Sequence, residues 1–174
     1  MRSDPPTATD LLVASLARTP AAQRLRRRVE RGGVLSWPGL PESAQAFTAA
    51  LLRHWFSTRP VVVVTEGLKA QERLYQDLLT WLAPLGPPAA PSAPAARSTR
   101  CLFYPAWETL PHEARLPHAD VISERLETLA ALGASPELSP HPGPAPVIVT
   151  AVVALLQRTF NAATLRARLR HLRR

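Results

Sequence analysis

Gly39-Leu40-Pro41-Glu42-Ser43-Ala44-Gln45-Ala46 stands where a short apolar run gives way to a helix-forming stretch. A strand, a glycine turn and a helix in that order are the placement of a phosphate-binding loop, whose pattern is G-x-x-x-x-G-K-[ST]. Three residue types do the work there. A second glycine lets backbone amides wrap the phosphate, a lysine neutralises it, and a hydroxyl binds magnesium. Here Ala44 replaces the glycine, Gln45 the lysine and Ala46 the hydroxyl, while Glu42 adds a negative charge where a triphosphate would sit. Without the lysine and the hydroxyl, the main electrostatic stabilisation of phosphoryl transfer is gone. The loop at Gly39, Ala44, Gln45 and Ala46 is therefore expected to be degenerate, with no nucleotide cofactor and no hydrolysis.

Other catalytic constellations are weak. His54, His112, His118, His141 and His171 have no spacing that makes a metal site, and Glu108 with Glu113 reads better as a solvated loop pair than as an acid and a base. No catalytic residue and no metal are expected. The single cysteine, Cys101, excludes an internal disulfide and reads as a buried structural thiol within an apolar strand.

The elements that must position these residues alternate along the chain. A helix is expected over residues 8–30, broken near Pro20 and ended by Gly32-Gly33. Val34, Leu35 and Trp37 read as a short strand, and a helix follows from Glu42 to Phe56. Four valines at 61–64 are the clearest strand, their β-branched run suiting a sheet buried on both faces. A helix over 68–82, a strand over 101–104, a helix from Asp120, a strand over 147–149 and a helix from Ala151 complete the series. Repeated strand-helix units imply a parallel sheet with helices on both faces. Two proline-rich segments, 84–98 and 136–146, interrupt it and are expected to be loops or stiff connectors.

The length of 174 residues suits one domain of ordinary size, and 46% hydrophobic residues suffice for a core. An N-terminal helical segment over 1–31, an α/β domain over 32–158 and a basic tail over 159–174 are the expected divisions. Net charge is +8, but it is unevenly spread. Residues 151–174 hold six arginines and no acidic residue, which leaves the first 150 residues close to neutral. In the tail, Arg166, Arg168, Arg170, Arg173 and Arg174 surround Leu165, Leu169 and Leu172, whose spacing could make one helix face and a nucleic-acid contact. A second cluster, Arg24, Arg26, Arg27, Arg28 and Arg31, lies toward the end of the first helical segment, where it could serve simply to complement a helix C-terminus and keep the surface wet. No apolar run approaches a membrane span and the N-terminus lacks signal-peptide order, so a cytoplasmic protein with no membrane partner is expected.

The stretch FYPAWETLPHEARLPHADVISERLETL at 103–129 carries the strongest pattern. An apolar strand end passes through a polar-aromatic turn into a helix whose Val121, Ile122, Arg125, Leu126, Leu129 and Leu132 recur at three- and four-residue spacing. The segment resembles a signature of bacterial transcription-repair coupling factors. Pro105, Trp107, Glu108, Thr109, Leu110, Pro111, His118, Asp120, Ile122, Ser123, Arg125 and Leu126 stand in register with it. Weaker matches at Gly39-Leu40, VVVVTEGLKAQERLYQDL and VIVTAVVALLQR extend the resemblance over roughly residues 25–160.

That resemblance implies a UvrB-like, RecA-like α/β domain with an eroded phosphate loop. It implies a family or interdomain role for Trp107, Glu108, Leu110, Pro111, His118, Asp120 and Arg125. The tyrosine-rich hairpin with which UvrB-like proteins check damaged DNA has no room between Tyr104 and the next helix. In intact family members, further domains recruit UvrA, bind RNA polymerase and, with ATP and magnesium, drive a motor along double-stranded DNA. Those cofactors and partners belong to domains that 174 residues cannot hold, so a truncated, frameshifted or split product is expected, serving as an N-terminal scaffold. The alternative is a stand-alone nucleic-acid binder acting through its arginine-rich tail.

Overall fold

A computed structural model of the chain describes residues 8–85, 101–109, 113, 115–133 and 145–168. The elements run α1 (Ala8–Ala17), α2 (Pro20–Arg31), α3 (Glu42–Trp55), β1 (Val61–Thr65), α4 (Leu68–Leu85), β2 (Cys101–Tyr104), α5 (Ala119–Gly133), β3 (Val147–Ala151), α6 (Val152–Leu156) and α7 (Ala162–Arg168). The break expected near Pro20 separates α1 from α2. Thr19 caps α2 by accepting the Ala22 amide at 3.3 Å, and Pro20 follows at the first helical position, where its missing N–H costs nothing. Gly32, at φ 74°, and Gly33, at φ 91°, carry the chain out of α2 in a backbone region that favours glycine.

The three strands form one parallel sheet in the order β1-β3-β2. β3 is central, and every residue in it is buried. Strand alternation sends Val147 and Val149 to one face and Ile148 and Thr150 to the other. On the first face α3 and α4 supply Ala46, Ala49, Ala50, Leu74, Leu78 and Leu82, which enclose Val147, Val149 and Cys101. Small alanines on α3 allow that helix to lie close to α4. Two edge-to-face ring pairs border this layer, Phe47 with Trp81 at 4.9 Å and Tyr75 with Phe103 at 5.3 Å between centroids. On the second face Leu129 of α5 and Ala154 of α6 cover Tyr104, Ile148 and Leu102. The coarse α/β arrangement with helices on both faces is thus present.

Two local expectations are corrected. Val34, Leu35 and Trp37 form no strand and are exposed, Val34 almost completely. Three apolar residues between the positive-φ Gly32-Gly33 pair and the Pro38-Gly39 turn are too few to hold a ladder, and among the described residues β1 pairs only with β3. β1 itself is not buried on both faces. Val62 and Val64 remain 52% and 49% exposed, because α5 and α6 cover β2 and β3 and leave this end of the second face open. The helix after β3 is a single short turn, α6, whose Val152, Val153, Leu155 and Leu156 are exposed. Of the proline-rich segments, Pro84 and Leu85 close α4, and Ala145 and Pro146 bond to Ser57 and Val61 before β3. The remainder lies outside the described residues.

Leu78 is fully enclosed between α3, α4 and the sheet. Leu78→Ala should lower unfolding free energy by roughly 2–5 kcal/mol, read as a shift of the urea midpoint at unchanged m-value.

Burial pushes the Cys101 thiol from its ordinary value of 9.0 up to about 12. The folded chain keeps that proton while the unfolded chain ionises. This residue's contribution is therefore complete below the unfolded value and is lost as pH rises through the folded one. Between pH 9 and 12 the native protein should lose stability more steeply than Cys101→Ala, followed by chemical denaturation at each pH.

Candidate functional site

In open parallel sheets, ligand-facing residues collect beyond the carboxyl ends of the strands. Here those ends are Thr65, Tyr104 and Ala151. α4 starts immediately after β1, which brings Gln71 underneath them. Its side chain is fully buried, and Nε2 donates to the carbonyls of both Tyr104 and Val149, at 3.1 and 3.0 Å. Thr150 Oγ1 donates to the same Tyr104 carbonyl at 2.9 Å, and Thr65 Oγ1 donates to the Thr150 carbonyl at 3.2 Å. One glutamine and two threonines thereby fasten the three strand ends together.

Beyond β2 the polar-aromatic turn is held by α5. Arg125 is 1% exposed, and its guanidinium lies 4.2 Å from the Tyr104 ring centroid and 4.2 Å from that of Trp107. Nη1 donates to the Pro105 carbonyl at 2.6 Å. One turn further along α5, Thr128 donates to the Phe103 carbonyl at 3.3 Å. The helix side chains thus bind main-chain carbonyls at the end of β2 and just beyond it. Burial lowers the pKa of Arg125, opposed by the neighbouring Tyr104. Its Nε and Nη2 are buried without a protein partner. Each such group costs about 1–3 kcal/mol, so the two ring contacts, worth about 2 kcal/mol or more each when desolvated, are needed to offset it.

Gln157, just after α6, completes the bracket. Its Oε1 accepts the Trp107 amide at 2.6 Å and its Nε2 donates to the Trp107 carbonyl at 3.2 Å. The Trp107 indole donates to the Arg158 carbonyl at 3.4 Å. Residues from β2, α5 and the end of α6 therefore fix one tryptophan, and the turn that it anchors presents Glu108 to solvent.

The other residues singled out by sequence are not gathered around Arg125. His118 and Asp120 form an exposed pair at the start of α5, where the Asp120 amide donates to His118 Nδ1 at 3.4 Å and the side chains approach to 3.3 Å. This is a local helix-start arrangement. Leu110 and Pro111 lie outside the described residues, as does His112. Gln71, Thr150 and Gln157 were not anticipated. Only Gln71 had a faint signal, a polar residue among the apolar positions of α4.

In the described segment before α3 no strand precedes the turn at Gly39, which sits at φ 80°, and Gln45 is exposed. Ala46 is completely buried in the core against α4 and the sheet. Glu42 pairs with Arg73 of α4 at 2.7 Å across an exposed gap. The start of α3 is thus a packing surface carrying a carboxylate. Among the described residues no group of three or more His, Cys, Asp or Glu could hold a metal, and no helix is long and apolar enough to cross a membrane.

In the tail, Asn161 Oδ1 accepts the Thr164 amide at 2.8 Å and starts α7, which packs on α5 through buried Leu165. Arg168 is exposed, Arg166 lies on the same short helix, and Arg170, Arg173 and Arg174 lie outside the described residues.

Comparison with protein-family models, curated proteins and solved structures finds no match.

Arg125→Met should destabilise the chain by at least about 2 kcal/mol and reduce its near-ultraviolet circular dichroism. Arg125→Lys should retain less than half of the lost stability, because an ammonium cannot stack flat between two rings. Equal stability for wild type and Arg125→Met would mean that the stacked guanidinium is not a brace.

Proposed function

We propose that this chain is a non-catalytic scaffold, the RecA-like front domain of a transcription-repair coupling factor, working by presenting a rigid turn to a neighbouring domain. The observation that carries this reading is the Arg125 bracket. Pro105, Trp107 and Arg125, which supply the resemblance to that family, also form the brace that holds the turn after β2. Such a brace suits a docking element, since a surface already rigid before binding loses little conformational freedom on contact. Exposed Glu108, His118 and Asp120 would be its polar contacts.

The same reading explains why the loop before α3 tolerates Ala44, Gln45 and Ala46. A domain whose partners are other domains has no use for a phosphate cradle, and Ala46 serves the core instead. ATP, magnesium, RNA polymerase, UvrA and double-stranded DNA would be engaged by the intact factor's other domains. The scaffold's task would be to pack against the UvrA-recruiting domain and keep it masked until polymerase is engaged.

The test is calorimetry with the full chain in two titrations. ATP with magnesium should produce no binding heat. The UvrA-recruiting domain of a bacterial coupling factor, supplied in trans, should bind, and Glu108→Lys should weaken that association at least tenfold. Binding of ATP with magnesium, or no association with the recruiting domain, would sink the proposal.

A further inference from the structure

We infer that α2 is a docking surface for the phosphate backbone of duplex DNA, separate from the arginine-rich tail. Its sequence, PAAQRLRRRVER, carries five arginines against one glutamate. At 100° per residue, Arg24, Arg27, Arg28 and Arg31 occupy the i, i+3, i+4 and i+7 positions and share one face. Ala22, Leu25 and Val29 share the opposite face and are half-buried, whereas all four of those arginines are exposed. The helix buries none of its side chains fully and packs on α1.

Arg26 faces away from the stripe and holds the only glutamate of the helix, with Nε 3.0 Å from Glu30 Oε1. The helix's own carboxylate, at the rim of the stripe, is therefore already occupied. Among the described residues no acidic side chain pairs with Arg24, Arg27, Arg28 or Arg31. Their splayed side chains, with Glu30 on the rim, line an open groove of about 540 Å³.

A favourable interaction with the helix dipole accounts for only part of this. That effect is confined to the last turn, which here contains Arg28 and Arg31. Arg24 and Arg27 lie earlier, and amphipathicity asks only that this face be polar, not that every residue of the stripe be cationic. The stripe runs along about 10 Å of helix axis, and the same length of duplex DNA carries roughly six phosphates. Four guanidiniums, each able to make a forked contact with phosphate oxygens, match that density of charge. Free peptide groups are not required, so the contact would read backbone and not sequence.

α7 is less suited to this role. It is seven residues long, and Leu165 commits it to α5. This inference does not depend on the scaffold reading, and either can fail alone.

The experiment is fluorescence anisotropy of a short labelled DNA duplex titrated with the full chain at several salt concentrations. Four phosphate contacts predict a slope of log K against log salt of about −3.6, and hence an affinity loss of roughly a hundredfold between 50 and 200 mM salt. Replacing Arg24, Arg27, Arg28 and Arg31 together by glutamine should remove most of that slope and weaken binding at least tenfold at the lowest salt. The melting temperature should not change, since these side chains face solvent. Replacing Arg166, Arg168, Arg170, Arg173 and Arg174 by glutamine should change the affinity less than the α2 variant does. No duplex binding by the wild-type chain, or binding lost with the tail variant and kept by the α2 variant, would overturn the inference. An acidic peptide that binds the stripe more tightly than duplex DNA at equal salt would also overturn it.

Discussion

A buried guanidinium must be surrounded on terms that compensate its lost water, and Arg125 imposes that requirement on everything near it. Burying a charge is costly unless it is paired or hydrogen-bonded. Among the described residues Arg125 has no carboxylate partner; it has two aromatic faces and one main-chain carbonyl. Tyr104 must therefore end β2 with its ring on the α5 side, Trp107 must fold back over the guanidinium, and Pro105 must turn its carbonyl inward. Gln157 can reach Trp107 only because β3 and α6 return the chain to the same place. The arrangement couples segments fifty residues apart through one side chain.

The sheet shows the same economy. With three strands among the described residues, only β3 has a neighbour on both sides, and the two outer strands each have one. Gln71 and Thr150 therefore matter more than they would in a wide sheet. Their hydrogen bonds tie the carboxyl ends of β2 and β3 where the hydrogen-bonded ladder stops.

Periodicity and composition revealed much of this. The valine run, the apolar run at 101–104 and the one at 147–149 are strands because β-branched and aromatic residues cluster between turn signals. Pro20 and Gly32-Gly33 marked the limits of α2 because such signals act locally. What sequence could not convey was coverage. Whether a valine strand is central or at an edge depends on the strand order, and the residues of 61–64 are the same either way. The expected strand at 34–37 failed for a related reason, since a strand exists only with a partner. Within the site, Trp107 and Arg125 were legible as a pattern. Their contact was not, because it depends on how α5 packs, and Gln157 is linked to them only through the return of β3.

The open flank of β1 has a physical cost. Val62 and Val64 are half-exposed beside a strand whose outer main chain has no partner among the described residues. Neither proline nor charge interrupts residues 61–65, the usual means of blunting such an edge. Two copies meeting flank to flank could extend each other's ladder, and that contact would use up the open edge of both, so the pairing closes at two.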